Sequence, residues 1–384
     1  MNKERIDDLV NIISEKYGDI ENMFVVQNNE QLLKYINNPN DWKGLQLAYA
    51  RKYRDKIKKM GAKVNEEMRD MTTKVVMLGY REVAPNSIKV TQSEITGEIP
   101  KSLADKIKSL QKATAEEIAR LCNVTLKQHS QSVRVISGIS KTDELYDAIK
   151  KYTVQGLTDA PSVRYVDGKN YTFRSYMEMH VRTELQTEIS NQQIEAGTDV
   201  GQVFYFCDTY GDCAPDHADY QGKYYYNDAV NIPKNVQEYI DSNGIMSMQE
   251  VRDSDPWLTT RPNCRHAFHA VPLDEVMGGT FDKTEFTRGN YKDSNYAHSQ
   301  EMRKTERTIR KFKTQELNAT RLYDKTNDER YKLKADAARV KVNSWNNEAK
   351  TLSKEYNIPR DKSRESIAVM KTDIGVKYDI KVRA

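Results

Sequence analysis

Three observations on this 384-residue chain predict an α+β fold, mostly helical, with long helical N- and C-terminal arms around a small central α+β module of short antiparallel strands. First, both ends carry long stretches almost without helix breakers. Leu45 to Leu78 contains only Gly61, and Glu301 to Ile358 has neither Pro nor Gly. Second, the composition is polar, with 38% hydrophobic residues, 30% charged residues and a mean hydropathy of −0.81, as in extended helical proteins. Third, short aromatic runs surround a window, Cys207 to Val271, that holds three of the four cysteines and three of the six histidines. The length suits two or three domains, and the pattern divides as 1–154, 155–282 and 283–384.

Residues 1–83 read as helices, with Ile6, Leu9, Ile12 and Ile13 on one stripe at helical spacing. Asn37-Asn38-Pro39-Asn40 breaks that pattern before Trp42. Residues 84–101, with Pro85, Gly97 and Pro100, predict a loop or linker. Helical patterning resumes at Leu103, and Ser140 begins a further helix to about Tyr152. SVRYVDGKNYTF predicts a hairpin turning at Asp167-Gly168. A helix from about Arg174 to Ala196 is expected to stop at Gly197. Strands follow at Val203–Phe206, Lys223–Tyr226 and His266–Val271, with Asn231–Asp255 as a polar loop holding a helical turn. Residues 284–300 read as irregular, and a charged helix runs from Glu301 to Pro359. Its apolar positions are sparse, so it must lie on something else.

The composition also excludes classes. No run of about 18 apolar residues occurs, so no membrane span is expected. The start, MNKERIDDLVNIISEK, lacks the apolar core of a secretory signal. Four cysteines do not make a disulfide scaffold, and synthesis in a reducing cytoplasm fits them. The net charge of +4 is segregated. Residues 1–170 carry 28 basic against 23 acidic residues, 171–300 carry 10 against 20, and 301–384 carry 22 against 13. Basic arms around an acidic centre suit contact with nucleic acid or an acidic partner, while solvated helix faces explain any single cluster equally well.

Cys213, His217, Cys264 and His266 form a candidate Cys2His2 zinc set, because zinc binds thiolate and imidazole tetrahedrally. The spacing lacks the Cys-x2-Cys of standard fingers. The competing reading is a buried thiol packing as a small hydrophobe beside a hydrogen-bonded His217. Cys207 with Cys213 is a candidate disulfide. Arg182 and Glu184 share no helix face and need partners from elsewhere, and Arg265 is the expected partner of Glu184. An enzymatic alternative uses Glu184 and His217 as general base and acid. Gln221-Gly222-Lys223 predicts a turn into a strand, with Gly222 at positive φ. Neither GxxxxGK[ST], GxGxxG nor HExxH occurs. Arg182, Glu184, His217, Cys264, Arg265 and His266 are expected to cluster within one module.

Asp216-His217, then Tyr220-Gln221-Gly222-Lys223-x-Tyr225, then Asn263-Cys264-Arg265-His266, resembles the signature of the tailed-phage minor capsid protein 2 family, related to the Mu F-like head morphogenesis proteins. The Arg182-Thr183 helix, EMRKTERTIRKFKTQE and the late SRESI extend the resemblance from near Gly168 over about 215 residues. The resemblance marks Arg182, Glu184, Gln221, Gly222, Asn263 and Arg265 as a structural signature. It implies a non-enzymatic, low-copy structural component inside the phage head near the portal, assembled in the host cytoplasm. The implied partners are the portal protein, other capsid or scaffolding proteins and phage DNA. The alternative from another class is a phage-encoded nuclease or other enzyme built on His217 and Glu184. This chain departs from the family in carrying Cys207 and Cys213 where members often have Ser or small residues.

Overall fold

The structure is a computed structural model that describes residues 3–36, 42–81, 84, 86, 88–90, 94–137, 162–164, 170–255, 258, 264–288, 296–362, 364–367 and 377–383. The N-terminal stripe lies on helix α1 (Lys3–Ile36), and the breaker-poor stretch after it is one helix, α2 (Trp42–Arg81). The Asn37–Asn40 break lies outside the described residues. Helix α3 (Lys101–Ser137) starts directly after Pro100, and the helix expected from Ser140 to Tyr152 also lies outside the described residues.

The linker expected at 84–101 is instead a sheet. Strand β1 (Ile88–Val90) pairs antiparallel with β2 (Glu94–Pro100). Strand β2 takes a parallel partner, β11 (Lys377–Arg383), from the other end of the chain. Ile95 and Ile99 are buried at strand spacing, a signal that the neighbouring Ser, Thr and Pro residues obscured. A ladder completed from so far along the chain leaves no local trace.

Strands β3 (Ser162–Arg164) and β4 (Asn170–Thr172) pair antiparallel on either side of Asp167-Gly168, whose turn lies outside the described residues. Helix α4 (Phe173–Asp199) follows, with Thr172 as N-cap accepting from the Ser175 backbone N–H at 3.3 Å. Phe173, Met177, Val181, Leu185 and Ile189 of α4 enter one apolar core with Ile13, Tyr17 and Phe24 of α1, Ile57, Val64 and Met68 of α2, and Leu103, Leu110 and Ile118 of α3. Each large side chain fully buried there contributes about 1.5–3 kcal/mol.

Gly197 does not terminate α4. The helix runs on to Asp199, and Gly197 is the point where it meets the sheet. A Cβ at position 197 would lie 1.9 Å from the Tyr205 hydroxyl. Tyr205 is fully buried and donates to the Ile194 carbonyl at 3.3 Å, so its ring cannot withdraw. Gly197→Ala should therefore cost about 3 kcal/mol through overpacking. Denaturant unfolding that shows an unchanged midpoint would contradict this account of the α4–sheet contact.

The central sheet has the order β8-β7-β5-β9. Its members are β5 (Phe204–Cys207), β7 (Tyr224–Tyr226), β8 (Met246–Ser247) and β9 (Phe268–Val271). Strand β5 pairs antiparallel with β7 and β9, and the edge strand β8 runs parallel to β7. Because successive strand residues face opposite sides, β5 feeds two cores. Phe204 and Phe206 pack with Val236, Ile240 and Val276, while Tyr205 and Cys207 pack with Tyr225, Met248 and Val251. The stretch read as a polar loop at Asn231–Asp255 supplies Val236, Ile240, Met248 and Val251 to this packing. It forms α5 (Lys234–Asn243), β8 and α6 (Met248–Ser254), the last opened by a capping box between Ser247 and Glu250. Helix α7 (Leu273–Gly278) follows β9, and a short strand β10 (Thr287–Arg288) pairs parallel with β6 (Thr209–Tyr210).

The charged C-terminal stretch is two helices, α8 (Tyr296–Thr326) and α9 (Glu329–Glu355), packed on each other, rather than one. Asn327 makes the turn at φ 52°, and Asp328 caps α9 by accepting from the Arg330 N–H at 3.1 Å. Asn tolerates this left-handed backbone, so a turn formed without Gly or Pro. The support that the sparse apolar stripe required thus comes from within the chain. Met302, Ile309, Ala319 and Leu322 are buried on α8, and Tyr331, Ala335, Ala338 and Leu352 on α9. Arg303 also pairs with Asp212 at 3.0 Å, and Arg310 bonds Ser175 Oγ of α4 at 3.2 Å.

Candidate metal centre

The loops leaving β5 and entering β9 bring the Cys/His window together. The ligand atoms of His217, Cys264 and His266 lie within 4.8 Å of one another, and all three residues are buried. Cys264 Sγ is 3.6 Å from His217 Nδ1 and 3.4 Å from His266 Nδ1. Zinc–sulfur and zinc–nitrogen bonds of about 2.3 and 2.05 Å at a tetrahedral angle place sulfur and nitrogen about 3.6 Å apart. Both sulfur–nitrogen edges of the cluster therefore already have the length found in a zinc tetrahedron.

The proton positions agree. The Tyr210 backbone N–H donates to Gln221 Oε1 at 2.8 Å, which fixes the orientation of that amide. His266 Nε2, 3.1 Å from the same oxygen, must then carry the proton and donate. His217 Nε2 faces the Asp255 carboxylate at 3.4 Å. His266 thus turns an Nδ1 lone pair toward Cys264 with an amide oxygen behind it, as in metal-ligating histidines, and the Asp255 carboxylate stands in the same place behind His217.

Cys213, the fourth candidate, stands across the ring. Its Sγ is 3.5 Å from His266 Nε2, the edge opposite the cluster. A single ion cannot take both nitrogens of one imidazole, so the geometry separates Cys213 from the other three. A three-ligand set leaves one tetrahedral position for water or a ligand. A recess of about 140 Å³, lined in part by Cys213, Arg265 and Arg303, adjoins the cluster. The candidate Cys207–Cys213 disulfide is not formed, and both residues are buried free thiols. They sit on different elements: Cys207 ends β5 inside a core, whereas Cys213 follows β6 toward His266.

Asp208 was not singled out by sequence reasoning, and it organises this region. Its carboxylate accepts from the Ala267 N–H at 2.9 Å and the Tyr210 hydroxyl at 3.1 Å, and lies 3.3 Å from His269 Nε2. It thereby ties the β5 exit to the Cys264–His269 segment. Asp255 was also missed, since a lone acid at a helix end carries no motif. An Asp between Cys207 and a β-prone Thr-Tyr was the available signal for Asp208. Gly222 sits at φ 73°, as its turn required, and its N–H donates to the Cys207 carbonyl at 2.8 Å.

Among the signature residues, Gln221 supplies the amide oxygen that accepts from His266 Nε2 at 3.1 Å, and Asn263 lies outside the described residues. Arg182 and Arg265 meet in a cavity of about 890 Å³ between α4 and α8. Glu184 does not pair with Arg265; its carboxylate is bound to Lys106 of α3. Helix α4 turns Glu184 toward α3, two positions away from the face that carries Arg182. Glu184 and His217, the base and acid of the enzymatic alternative, are engaged with different neighbours: Glu184 with Lys106, His217 with Cys264 and Asp255. In the cavity, burial alone would raise the Glu178 carboxyl. Arg310, Arg182, Arg174 and Arg364 overcome it and hold that carboxyl down to about 2.

Fold and site together define a helix-rich α+β protein with a small Cys/His module at its centre. A family model for phage minor capsid protein 2 matches residues 1–352, and the chain belongs to that family. It is thus a structural component of the phage virion. The match includes the N-terminal helices, which the signature motifs did not reach, and ends before the SRESI segment. No curated protein and no solved structure matches the chain. No helix among the described residues is long and apolar enough to cross a membrane.

Proposed function

We propose that this minor capsid protein is a low-copy, non-enzymatic head component at the portal vertex, in contact with portal protein, other capsid or scaffolding proteins and packaged phage DNA. It joins the head in the host cytoplasm. Residues 1–154 form the portal-facing unit, 155–282 the central module and 283–384 the charged arm. A zinc ion held by His217, Cys264 and His266 staples the central module and supplies cross-linking rather than chemistry.

The observation that carries the DNA contact is the exposed face of α2. Tyr53 and Ile57 are buried, while Arg51, Lys52, Arg54, Lys56, Lys58 and Lys59 are all exposed. Such a row on one helix suits a phosphate backbone, and each neutralised phosphate contributes about −0.9 to the salt slope of binding. Quantitative mass spectrometry of purified procapsids and mature heads tests the placement. A few copies per particle in both are expected, with DNA binding by the purified protein that weakens steeply as salt rises. Charge reversal at Arg51, Lys52 and Lys58 should flatten that slope without unfolding the protein. Absence from particles, or a copy number like that of a major shell subunit, would overturn the reading.

A further inference from the structure

We infer that the arginine-lined cavity between α4, α8 and the segment around Arg364 is a phosphate-binding site, taking the phosphate groups of a nucleotide or of a single-stranded nucleic-acid end. Its volume of about 890 Å³ lies in the range of small-ligand sites. Seven arginines and one lysine line it against three glutamates, Glu21, Glu178 and Glu306. The charges come from separate elements: Arg174 and Arg182 from α4, Arg303, Arg307, Arg310 and Lys311 from α8. Cations converging on a small volume from several sides suit a compact, multiply charged anion better than an extended acidic peptide. Guanidinium forks also match phosphate oxygens in pairs. Tyr171 lines the same space and offers an aromatic face for a base.

The groups inside repel one another. Burial, followed by Arg310, lowers Arg174 to about 10, and burial, followed by Arg265, lowers Arg303 to about 10. Burial pushes Glu21 up to about 7, which reduces the compensation it offers. Two cations are the least engaged. Arg307 and Lys311 are exposed, stand one turn apart, and make no hydrogen bond or ion pair with a described residue, although Glu178 and Glu306 attract Arg307 from a greater distance. An anion in the cavity would satisfy them and relieve the repulsion behind them. This inference concerns the isolated chain and does not depend on the portal or packaged DNA.

Calorimetric titration of the full chain, purified without phosphate buffer, provides the test. The probes are inorganic tripolyphosphate, a short oligo-dT with and without a 5′-phosphate, and polyglutamate as the acidic-peptide control. Tripolyphosphate should bind and raise the melting temperature. The double variant Arg307→Gln/Lys311→Gln should keep the ligand-free melting temperature and lose affinity about tenfold per charge removed. Tighter binding of the 5′-phosphorylated oligonucleotide than of tripolyphosphate identifies a nucleic-acid end; the reverse order identifies a free polyphosphate or nucleotide. Failure to bind either phosphate probe, unchanged affinity in the double variant, or preference for polyglutamate would overturn the proposal.

Discussion

Cys264→Ala is expected to reduce bound zinc from about one equivalent to near zero and to lower stability on the order of 5 kcal/mol, because metal binding at such a site is coupled to folding. Cys264 is the shared vertex, with its sulfur 3.4 and 3.6 Å from the two Nδ1 atoms. Removing it deletes the thiolate and leaves two buried imidazole lone pairs facing a gap. Cys213→Ala should retain the metal, since Cys213 meets the opposite edge of His266. A strong chelator should reproduce the Cys264→Ala melting curve in the wild-type protein and leave the variant's curve unmoved. Metal-free wild-type protein with a chelator-insensitive melting temperature would restore the reading of Cys264 as a small buried hydrophobe.

Glu178→Gln should cost about 3 kcal/mol near neutral pH. The variant keeps the shape and removes the charge on which Arg310, Arg182, Arg174 and Arg364 converge. Its carboxyl falls from an ordinary 4.5 to about 2 in the folded protein, and each unit corresponds to about 1.4 kcal/mol. The sign follows from the depressed value. The stabilisation is fully present above the unfolded value near 4.5 and is lost as pH falls through that value toward about 2. Chemical denaturation of both proteins across that range should show a gap that is constant above pH 5 and closes below it, by about the linkage expected for one carboxyl. A gap independent of pH would mean that the substitution acts through packing, not charge.

These two side chains also separate what was readable from what was not. Cys264 was legible because thiol and imidazole are rare here and gather in one window. Nothing in that window revealed that Cys213 meets the wrong edge of His266. The difference is a matter of the orientation of the His266 ring, set by Gln221 from the turn before β7. Glu178 carried no signal at all. Its environment is assembled from α4, α8 and Arg364, and charge convergence has no local pattern.

The same division holds for the fold. Helical periodicity and the scarcity of breakers were sufficient for α1, α2, α3 and α4, and aromatic β-prone runs for β5, β7 and β9, because each is set by neighbours within a few residues. The family signature was likewise readable as a string. Three features came only from tertiary structure. Asn327 bent the C-terminal stretch so that α8 and α9 could bury each other's sparse apolar stripes. Strand β11 completed the β2 ladder from across the chain. Gly197 served a close approach to Tyr205, where a helix end had been expected. Local sequence determined which elements form; their partners, and therefore the Cys/His centre and the arginine cavity, depend on contacts whose free energy exists only once distant segments meet.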